Sequence, residues 1–172
     1  MGSKLSKEEK YLKAQERWTK RANTLLRRKG LKSSKRRHTG AKKGIHKVSI
    51  KGLEKKLKAL LYPLIKKRDG PNCISCKKQG LVGRNWAAGH YLKAELCNLI
   101  ARYDIRNINS QCNMYCNKNL RGNTIEYRKA MLVKYGVEVV DDLEANYRLP
   151  LNLNPRLYLT ELIEHYKNID KL

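Results

Sequence analysis

Two pairs of cysteines frame the part of the sequence that is best suited to chemistry. Cys73 and Cys76 form a Cys-x2-Cys pair, and Cys112 and Cys116 form a second pair with three residues between them. Four thiolates at such spacings can close the tetrahedral shell of one zinc ion, which is typical of a structural rather than a catalytic site. Four unconnected buried cysteines and an iron–sulfur cluster are the alternatives. The fifth cysteine, Cys97, is expected to be a buried spare thiol.

One histidine lies inside this frame and one asparagine directly follows it. His90 falls between the cysteine pairs, and Asn117 comes after Cys116. Neutral imidazole can take a proton from water near pH 7, and an amide oxygen is a hard ligand suited to magnesium. Phosphodiester hydrolysis needs such a base and a divalent cation. The pattern suggests a metal-dependent nuclease in which zinc positions His90 and Asn117. The default alternative is that His90 is an ordinary strand residue whose hydrogen bonds are satisfied within the fold.

The charge of the chain indicates a polyanionic partner. Lys and Arg number 39 against 15 acids, a formal net charge of +24. Nucleic acid is the natural partner, because basic side chains release condensed counterions when they bind phosphate. A basic helix on a membrane surface is the alternative, but the first 50 residues lack the wide apolar face that it needs. Residues 1–48 are therefore predicted to be a basic DNA-binding arm, partly helical or disordered. The candidate contacts to DNA are Arg27, Arg28, Lys35, Arg36, Arg37, Lys42, Lys43 and, outside the arm, Arg106.

The sequence shows no sign of export or of a membrane span. No stretch approaches the roughly 20 apolar residues that cross a bilayer, and the Lys-rich N-terminus has no apolar run behind it. Cysteines at zinc spacing fit a reducing compartment. We therefore expect a cytoplasmic protein without a membrane partner.

Hydrophobic periodicity predicts a mostly helical α+β domain over residues 49–172. A helix is expected over 50–68, with Ser49 as its N-cap and Pro63 as a kink or an end. Its apolar stripe, which is more typical of core or of a dimer seam than of a cofactor surface, consists of Leu53, Leu57, Leu60, Leu61, Leu64 and Ile65. Strands are expected over 86–92 and 104–111, and residues 94–103 have no assignment.

Helices are also expected on the C-terminal side of the cysteine frame. Cys116 is placed near the start of one, and a helix over 124–135 is expected to have Thr124 as N-cap and Gly136 as its stop. A short helix over 137–147 follows. The Asn154-Pro155 pair indicates the start of the last helix, whose apolar face consists of Leu159, Leu162, Ile163 and Tyr166.

A larger set of residues resembles the phage NinG/Rap recombination proteins. The shared pattern is Cys-x2-Cys, Gly-His-Tyr, Arg-Asn-Ile-x2-Gln-Cys, Cys-Asn-x4-Gly-Asn and Tyr-Arg. The matching positions, within roughly residues 72–147, are Cys73, Cys76, Gly89, His90, Tyr91, Arg106, Asn107, Ile108, Gln111, Cys112, Cys116, Asn117, Gly122, Asn123, Tyr127 and Arg128. More broadly, the stretch is similar to the zinc-containing HNH, or His-Me finger, nucleases of the endonuclease VII type.

The resemblance implies an endonuclease that cleaves branched recombination intermediates, Holliday junctions and D-loops. Its core would be a treble-clef zinc and ββα-metal fold with flanking helices. His90 would be the general base and Asn107 would orient the hairpin. The catalytic magnesium or manganese would be held by Asn117, with Asn123 and His90 as further contacts. Symmetric resolution of a four-way junction needs two active sites, so a homodimer is expected, with the stripe at 53–65 and the last helix as candidate seams.

Three positions depart from the family pattern. Gly89 stands where some relatives have an Asp that binds the metal, and Asp104 is the candidate for the missing oxygen. Asn109 stands where the NinG pattern tends to have His. The three residues between Cys112 and Cys116 shift Asn117 by one position relative to the commoner knuckle. Two other functions fit the sequence: a zinc protein that binds nucleic acid without catalysis, and an HNH endonuclease that cuts linear duplex DNA.

Overall fold

The computed structural model describes residues 48–169, with side chains through residue 168. The elements in chain order are α1 (Ile50–Asp69), a 3-10 turn (Gly83–Asn85), β1 (Trp86–His90), α2 (Leu99–Arg102), β2 (Ile108–Cys112), a π-helical turn (Asn113–Asn119), α3 (Thr124–Tyr135), α4 (Val137–Asn146) and α5 (Pro155–Ile169). The described chain is thus mostly helical α+β, as predicted, with a single two-stranded sheet in this range. No helix in the described range is long and apolar enough to cross a membrane. The predicted basic arm lies outside these residues, apart from its last position.

Helix α1 forms where the leucine stripe predicts it. The Ser49 hydroxyl oxygen accepts a hydrogen bond from the backbone N–H of Gly52 at 3.1 Å, which caps the first turn. Four stripe residues are buried, one for each turn of the helix: Leu53, Leu57, Leu61 and Ile65. Pro63 does not end the helix, which continues to Asp69. It stops at Gly70, whose φ of 67° is the left-handed conformation that glycine adopts without strain.

The buried stripe of α1 packs against the last helix. Helices α1 and α5 are in contact, and the predicted apolar face of α5, Leu159, Leu162, Ile163 and Tyr166, is buried. The Asn154 side-chain oxygen accepts hydrogen bonds from the N–H groups of Arg156 and Leu157, so the predicted N-cap is confirmed. Both candidate dimer seams are therefore covered within one chain. A homodimer, which stays a prediction, would need another surface.

The two strands form an antiparallel hairpin in which His90 is opposite Ile108 and Trp86 is opposite Cys112. The return strand begins later than the predicted position 104, because residues 104–107 form a turn. In that turn the N–H of Asn107 donates to the Asp104 carbonyl at 3.0 Å. Strand β2 is buried along its whole length.

The hairpin lies between two helices, since alternate side chains of a strand point to opposite faces. His90 and Trp86 share the face toward α1, where Tyr62 lies edge-on to the imidazole and the Lys66 ammonium lies over the Trp86 ring. The other face meets α3, where the Tyr127 hydroxyl donates to the Gly89 carbonyl at 2.8 Å.

Helices α3 and α4 are joined at Gly136, which has a φ of 83° and is the predicted stop of α3. They form an apolar core whose buried members are Tyr91, Tyr127, Met131, Val140 and Leu143. The prediction of Thr124 as N-cap of α3 is wrong, because Thr124 is the first helical residue and Asn123 precedes it with a φ of 47°. The Asn123 side chain does not cap the helix.

The segment that follows β2 is a π-helical turn, where a helix had been predicted near Cys116. The N–H of Leu120 donates to the carbonyl of Tyr115, five residues earlier, at 2.9 Å. A π-helical turn accommodates one residue more than an α-helical turn. This geometry absorbs the third residue between Cys112 and Cys116 and returns Cys116 to the cysteine frame.

Candidate functional site

The predicted zinc ligands converge on one point. The sulfur atoms of Cys73, Cys76, Cys112 and Cys116 all lie within 4.8 Å of one another. Those of Cys76 and Cys112 are 3.7 Å apart, which is too far for a disulfide and close to the roughly 3.8 Å edge of a sulfur tetrahedron with zinc–sulfur bonds of 2.3 Å. The cysteines are therefore not unconnected. They could hold a metal ion, and an all-sulfur shell fits structural zinc.

Backbone hydrogen bonds hold the first cysteine pair against the hairpin. The N–H of Cys73 donates to the Lys78 carbonyl at 2.8 Å, and the N–H of Ile74 donates to the Ser110 carbonyl at 2.9 Å. Ser110 lies in β2, so the first pair covers the open edge of that strand. The metal would thus join a loop, the hairpin and the π-helical turn.

Polar hydrogens also surround the sulfur atoms. The backbone N–H of Cys116 donates to the Cys112 sulfur at 3.4 Å, and the Asn123 amide nitrogen donates to the Cys116 sulfur at 3.5 Å. Such contacts orient thiolate ligands and stabilise their negative charge. The predicted contact of Asn123 with a catalytic metal or phosphate stays a prediction. In the structure its amide nitrogen serves the cysteine cluster, and this is also why it does not cap α3.

His90 ends β1 with its imidazole in one defined tautomer. Its Nε2 lies 3.0 Å from the Arg102 carbonyl oxygen, and because a carbonyl only accepts, Nε2 carries the hydrogen. Nδ1 then keeps its lone pair in the neutral ring. Burial, together with the nearby charges of Lys58 and Arg102, holds the pKa of His90 below its ordinary 6.5, although the Arg102 carbonyl opposes this. The imidazole is therefore a neutral base at pH 7.

Asn107 fixes the loop that carries the carbonyl partner of His90. It is fully buried, its side-chain oxygen accepts from the N–H of Leu92 at 2.8 Å, and its nitrogen donates to the Ala101 carbonyl at 2.8 Å. Ala101 precedes Arg102, whose carbonyl holds the imidazole. Asn107 thus joins both ends of the loop to the turn before β2, and no hydrogen bond in the described chain connects it to His90. Its role in orienting the hairpin and the imidazole stays a prediction.

Cys97 belongs to the same buried loop and not to the cysteine cluster. Its thiol contacts the Leu92 carbonyl at 3.5 Å and the Asn107 amide at 3.7 Å. Burial raises the pKa of Cys97 above that of a free thiol. The residue is a buried packing thiol, as the sequence analysis expects.

Gly89 has no room for the aspartate that some relatives carry. A Cβ at this position would lie 2.4 Å from the side-chain oxygen of Gln111 and 3.0 Å from its Cβ. Gln111 is fully buried, and its amide nitrogen donates to the Ser75 hydroxyl at 2.8 Å and to the Gly122 carbonyl at 2.7 Å. A glutamine amide locked from the neighbouring strand therefore takes the place of a side chain at 89.

Asn117 lies in the π-helical turn with one end of its amide engaged. Its nitrogen donates to the side-chain oxygen of Asn113 at 3.1 Å. Its side-chain oxygen, the kind of atom that a hard cation binds, accepts no hydrogen bond within the described chain. No hydrogen bond in the described range joins Asn117 to His90.

A buried polar cluster between the end of α1, strand β2 and the end of α3 was not predicted from the sequence. The side-chain oxygen of Asn109 accepts from Arg68, Lys134 and Tyr135 at 2.9, 2.9 and 3.0 Å. Asp69 accepts from Arg68 and Lys134 and also from the N–H of Ser110 at 2.8 Å. These contacts join the end of α1, strand β2 and the end of α3. The position where the NinG pattern tends to have His is thus occupied here by a structural asparagine.

Arg106, a candidate DNA contact, and Asp104, a candidate metal ligand, form an ion pair with each other. The guanidinium of Arg106 pairs with Asp104 at 2.6 Å and with Asp142 at 3.4 Å. Asp104 also accepts from the backbone N–H of Arg106. Both are engaged in holding the turn before β2, so DNA contact by Arg106 and metal binding by Asp104 stay predictions. The other candidate DNA contacts lie in the arm, outside the described residues.

Comparison with known proteins gives relatives over part of the chain. Protein ninG of Escherichia phage 933W is 40% identical over 80 residues, which are 46% of this chain and 37% of that protein. The ninG proteins of Escherichia phage lambda, at 39% over 80 residues, and of Salmonella phage P22, at 37% over 81 residues, also match over 37% of their lengths and 46% and 47% of this chain. The aligned part is thus little more than a third of these relatives. No solved structure was found to match.

The family comparison covers far more of the chain. The model of the family described as bacteriophage lambda NinG protein matches residues 2–171. This range includes the cysteine cluster, the hairpin with His90 and the helices around them. On this match, the chain belongs to the family of the bacteriophage lambda NinG protein.

Proposed function

We propose that this chain is a metal-dependent endonuclease that cleaves branched recombination DNA, such as Holliday junctions and D-loops. The observation that carries the proposal is the state of His90. Its Nε2–H is held by the Arg102 carbonyl and its pKa is lowered, so Nδ1 is a base at neutral pH. Lys58, which forms no ion pair within the described chain, adds positive charge near the imidazole, which suits a phosphate substrate.

In the proposed reaction, Nδ1 of His90 takes a proton from a water molecule. The water oxygen attacks phosphorus, the bond from phosphorus to the leaving oxygen breaks, and the leaving oxygen then takes up a proton. A bound magnesium or manganese ion would neutralise charge on the phosphate and on the leaving oxygen. Asn117 is the proposed ligand for this ion. The treble-clef and His-Me description of the core belongs to the same proposal, with structural zinc holding the π-helical turn that carries Asn117.

Helix α1 supplies a basic surface beside His90. Its exposed side carries Lys51, Lys55, Lys56, Lys58 and Lys67, none of which forms an ion pair within the described chain. Glu54, the acid of this helix between its ends, pairs with Arg102. Phosphate contacts along α1 would place a DNA strand next to the imidazole.

The test is a cleavage assay on a four-way junction beside a linear duplex, with and without magnesium. The wild type is expected to cut near the branch point only with metal. Replacing the base with His90→Ala is expected to lower the rate at least 100-fold, while junction binding changes little. His165→Ala, which removes a half-buried histidine of α5, is the matched control and is expected to cut like the wild type.

The pH profile gives the same assay a second readout. Because the pKa of His90 is lowered, the rate is expected to rise with pH and to level off below the pH of about 6.5 at which an ordinary histidine would titrate. Wild-type cutting by His90→Ala would show that the base is assigned to the wrong residue.

The same experiment decides between the proposal and two other functions. The all-sulfur cluster also suits a zinc protein that binds nucleic acid without cutting it. Binding of the junction with no new ends under any divalent metal would support that function. Equal cutting of junction and linear duplex would support an HNH endonuclease of the general kind.

A further inference from the structure

Ion pairs neutralise many of the basic side chains around the hairpin and the C-terminal helices: Arg68, Arg102, Arg106, Arg128, Lys129, Lys134 and Lys167. Those around the cysteine cluster are exposed and form no ion pair with another described residue: Lys77, Lys78, Arg84, Lys118 and Arg121. No Asp or Glu occurs in 70–94 or in 105–125, the segments that build this end of the molecule. The cysteine end thus presents unneutralised positive charge.

The same end exposes apolar side chains. Met114, Tyr115 and Leu120 are 55%, 58% and 43% exposed, and all lie in or directly after the π-helical turn. The N–H of Leu120 donates to the Tyr115 carbonyl, which places these two residues side by side. We call Met114, Tyr115 and Leu120 the apolar tip. An exposed apolar group ringed by cations needs a partner that offers both an apolar face and negative charge.

The apolar tip is held in place on a rigid support. The N–H of Met114 donates to the Asn85 side-chain oxygen at 3.1 Å, and the Asn113 amide donates to the Arg84 carbonyl at 3.0 Å. Cys116, a member of the cysteine cluster, directly follows Tyr115. Ordering the tip on binding therefore costs little conformational entropy, because the backbone is already fixed.

We infer that the apolar tip is a stacking platform on which Tyr115 takes the face of an unpaired DNA base, while Lys118 and Arg121 contact the adjoining phosphates. A nucleic-acid strand is the partner that combines a flat apolar face with a charge on every residue. In an intact duplex both faces of each base are covered by neighbours, so the platform selects ends, gaps and branch points. This inference rests on the proposed function in one respect, the choice of DNA as partner.

The test measures binding without divalent metal, so that cleavage plays no part. The full chain is titrated into labelled DNA with an unpaired stretch at a branch and into a duplex of equal charge whose two ends are closed by non-nucleotide linkers. Tyr115→Ala is expected to weaken binding to the branched DNA roughly fivefold to 100-fold, the range for loss of one stacked base, and to leave duplex binding unchanged. Tyr115→Phe, which keeps the ring, is expected to bind both like the wild type.

Two controls separate stacking from charge and from surface loss. Val133→Ala removes apolar surface from a residue of α3 that is 90% exposed and is expected to change neither affinity. Lys118→Gln combined with Arg121→Gln is expected to weaken branched and duplex DNA alike and to lower the salt slope of binding by about 2. A 2-aminopurine at the unpaired position is expected to be quenched by the wild type and by Tyr115→Phe but not by Tyr115→Ala.

The outcomes distinguish this inference from the proposed function. Equal binding of branched DNA by Tyr115→Ala and the wild type would overturn the platform, even if the junction is cut in a His90-dependent way. A parallel loss on branched and duplex DNA would overturn it as well, since stacking on unpaired bases predicts a selective loss. Selective loss in a protein that cuts no DNA would support the platform and reject the nuclease.

Discussion

At Gly89, a single neighbouring side chain decides what the site can hold. Sequence comparison with nucleases that carry Asp at this point leaves a gap in the metal shell. The structure shows that Gln111, reaching across from β2, already takes up the space. A missing ligand at one position is thus tied to a buried amide on the next strand, and the two would have to change together.

Gly89→Asp is therefore expected to destabilise the fold rather than to supply a metal ligand. Forcing a side chain into this packed position costs about 1–3 kcal/mol, to which burial of an unpaired carboxylate adds. Urea unfolding measures the loss.

Gly89→Ala in a Gln111→Ala background is the control for the cause of that loss. The alanine is expected to cost less there than in the wild type, since most of the clashing atoms are gone. An aspartate variant as stable as the wild type and with tighter magnesium binding would contradict this account.

At the scale of elements, periodic and short-range sequence patterns were sufficient to predict helices α1 and α5. Features that depend on contacts between distant residues were not predicted. The leucine stripe, the Ser49 cap and the Asn154 cap predicted α1 and α5 because a helix satisfies its first turn with nearby residues. The late start of β2 was missed because Asp104 organises a turn whose hydrogen bonds compete with strand pairing. The N-cap of α3 was assigned to Thr124 instead of Asn123, whose side chain donates to a sulfur atom and does not cap the helix.

The cysteine cluster ties together elements that have little apolar core of their own. Its apolar neighbours are Leu81, which is buried, and Trp86, which is partly buried, so a bound metal would supply much of the local stability. We expect one tightly held zinc per chain, measured by elemental analysis. Removal of the metal by a strong chelator, or Cys112→Ser, is expected to lower the melting temperature by more than 10 °C, because structural zinc contributes directly to folding.

Cys97→Ser is the control for that experiment, since Cys97 is buried but stands apart from the cluster. It is expected to keep a full equivalent of zinc. Loss of zinc from this variant, or a stable metal-free wild type, would show that the cluster does not have the structural role assigned to it.

For the molecule as a whole, the basic residues divide into those that are in ion pairs and those that are not. Acidic residues form internal ion pairs, such as Glu54 with Arg102 and Glu144 with Arg128. The exposed lysines of α1 and the basic side chains of the cysteine end form no ion pair within the described chain. Sequence counts alone give the excess of +24 but not this division, because the pairing partners are far apart in the chain.

Asp69 links the stability of the whole described unit to pH. Its side chain is 7% exposed, forms ion pairs with Arg68 and Lys134, and accepts a hydrogen bond from the N–H of Ser110. Burial tends to raise the pKa of Asp69, but its hydrogen bonds and charge pairing with Arg68 and Lys134 outweigh this, so the folded pKa lies below 3.8. The stabilisation is therefore present above the unfolded pKa and is lost as the pH falls through the folded value.

Asp69→Asn is accordingly expected to cost about 3–5 kcal/mol at pH 7, since it leaves two cations without their buried partner. The difference from the wild type is expected to shrink as the pH falls toward 3, where the wild-type carboxylate loses its advantage. Asp141→Asn, at an exposed residue whose pair with Arg128 is 3.5 Å long, is the matched control and should change stability by less than about 1 kcal/mol. Urea unfolding at pH 7, 5 and 3 measures the free energy of unfolding of the wild type and of both variants at each pH. A constant difference across this range would mean that the Asp69 carboxylate contributes through its shape and hydrogen bonds, and that its charge does not clamp α1, β2 and α3 together.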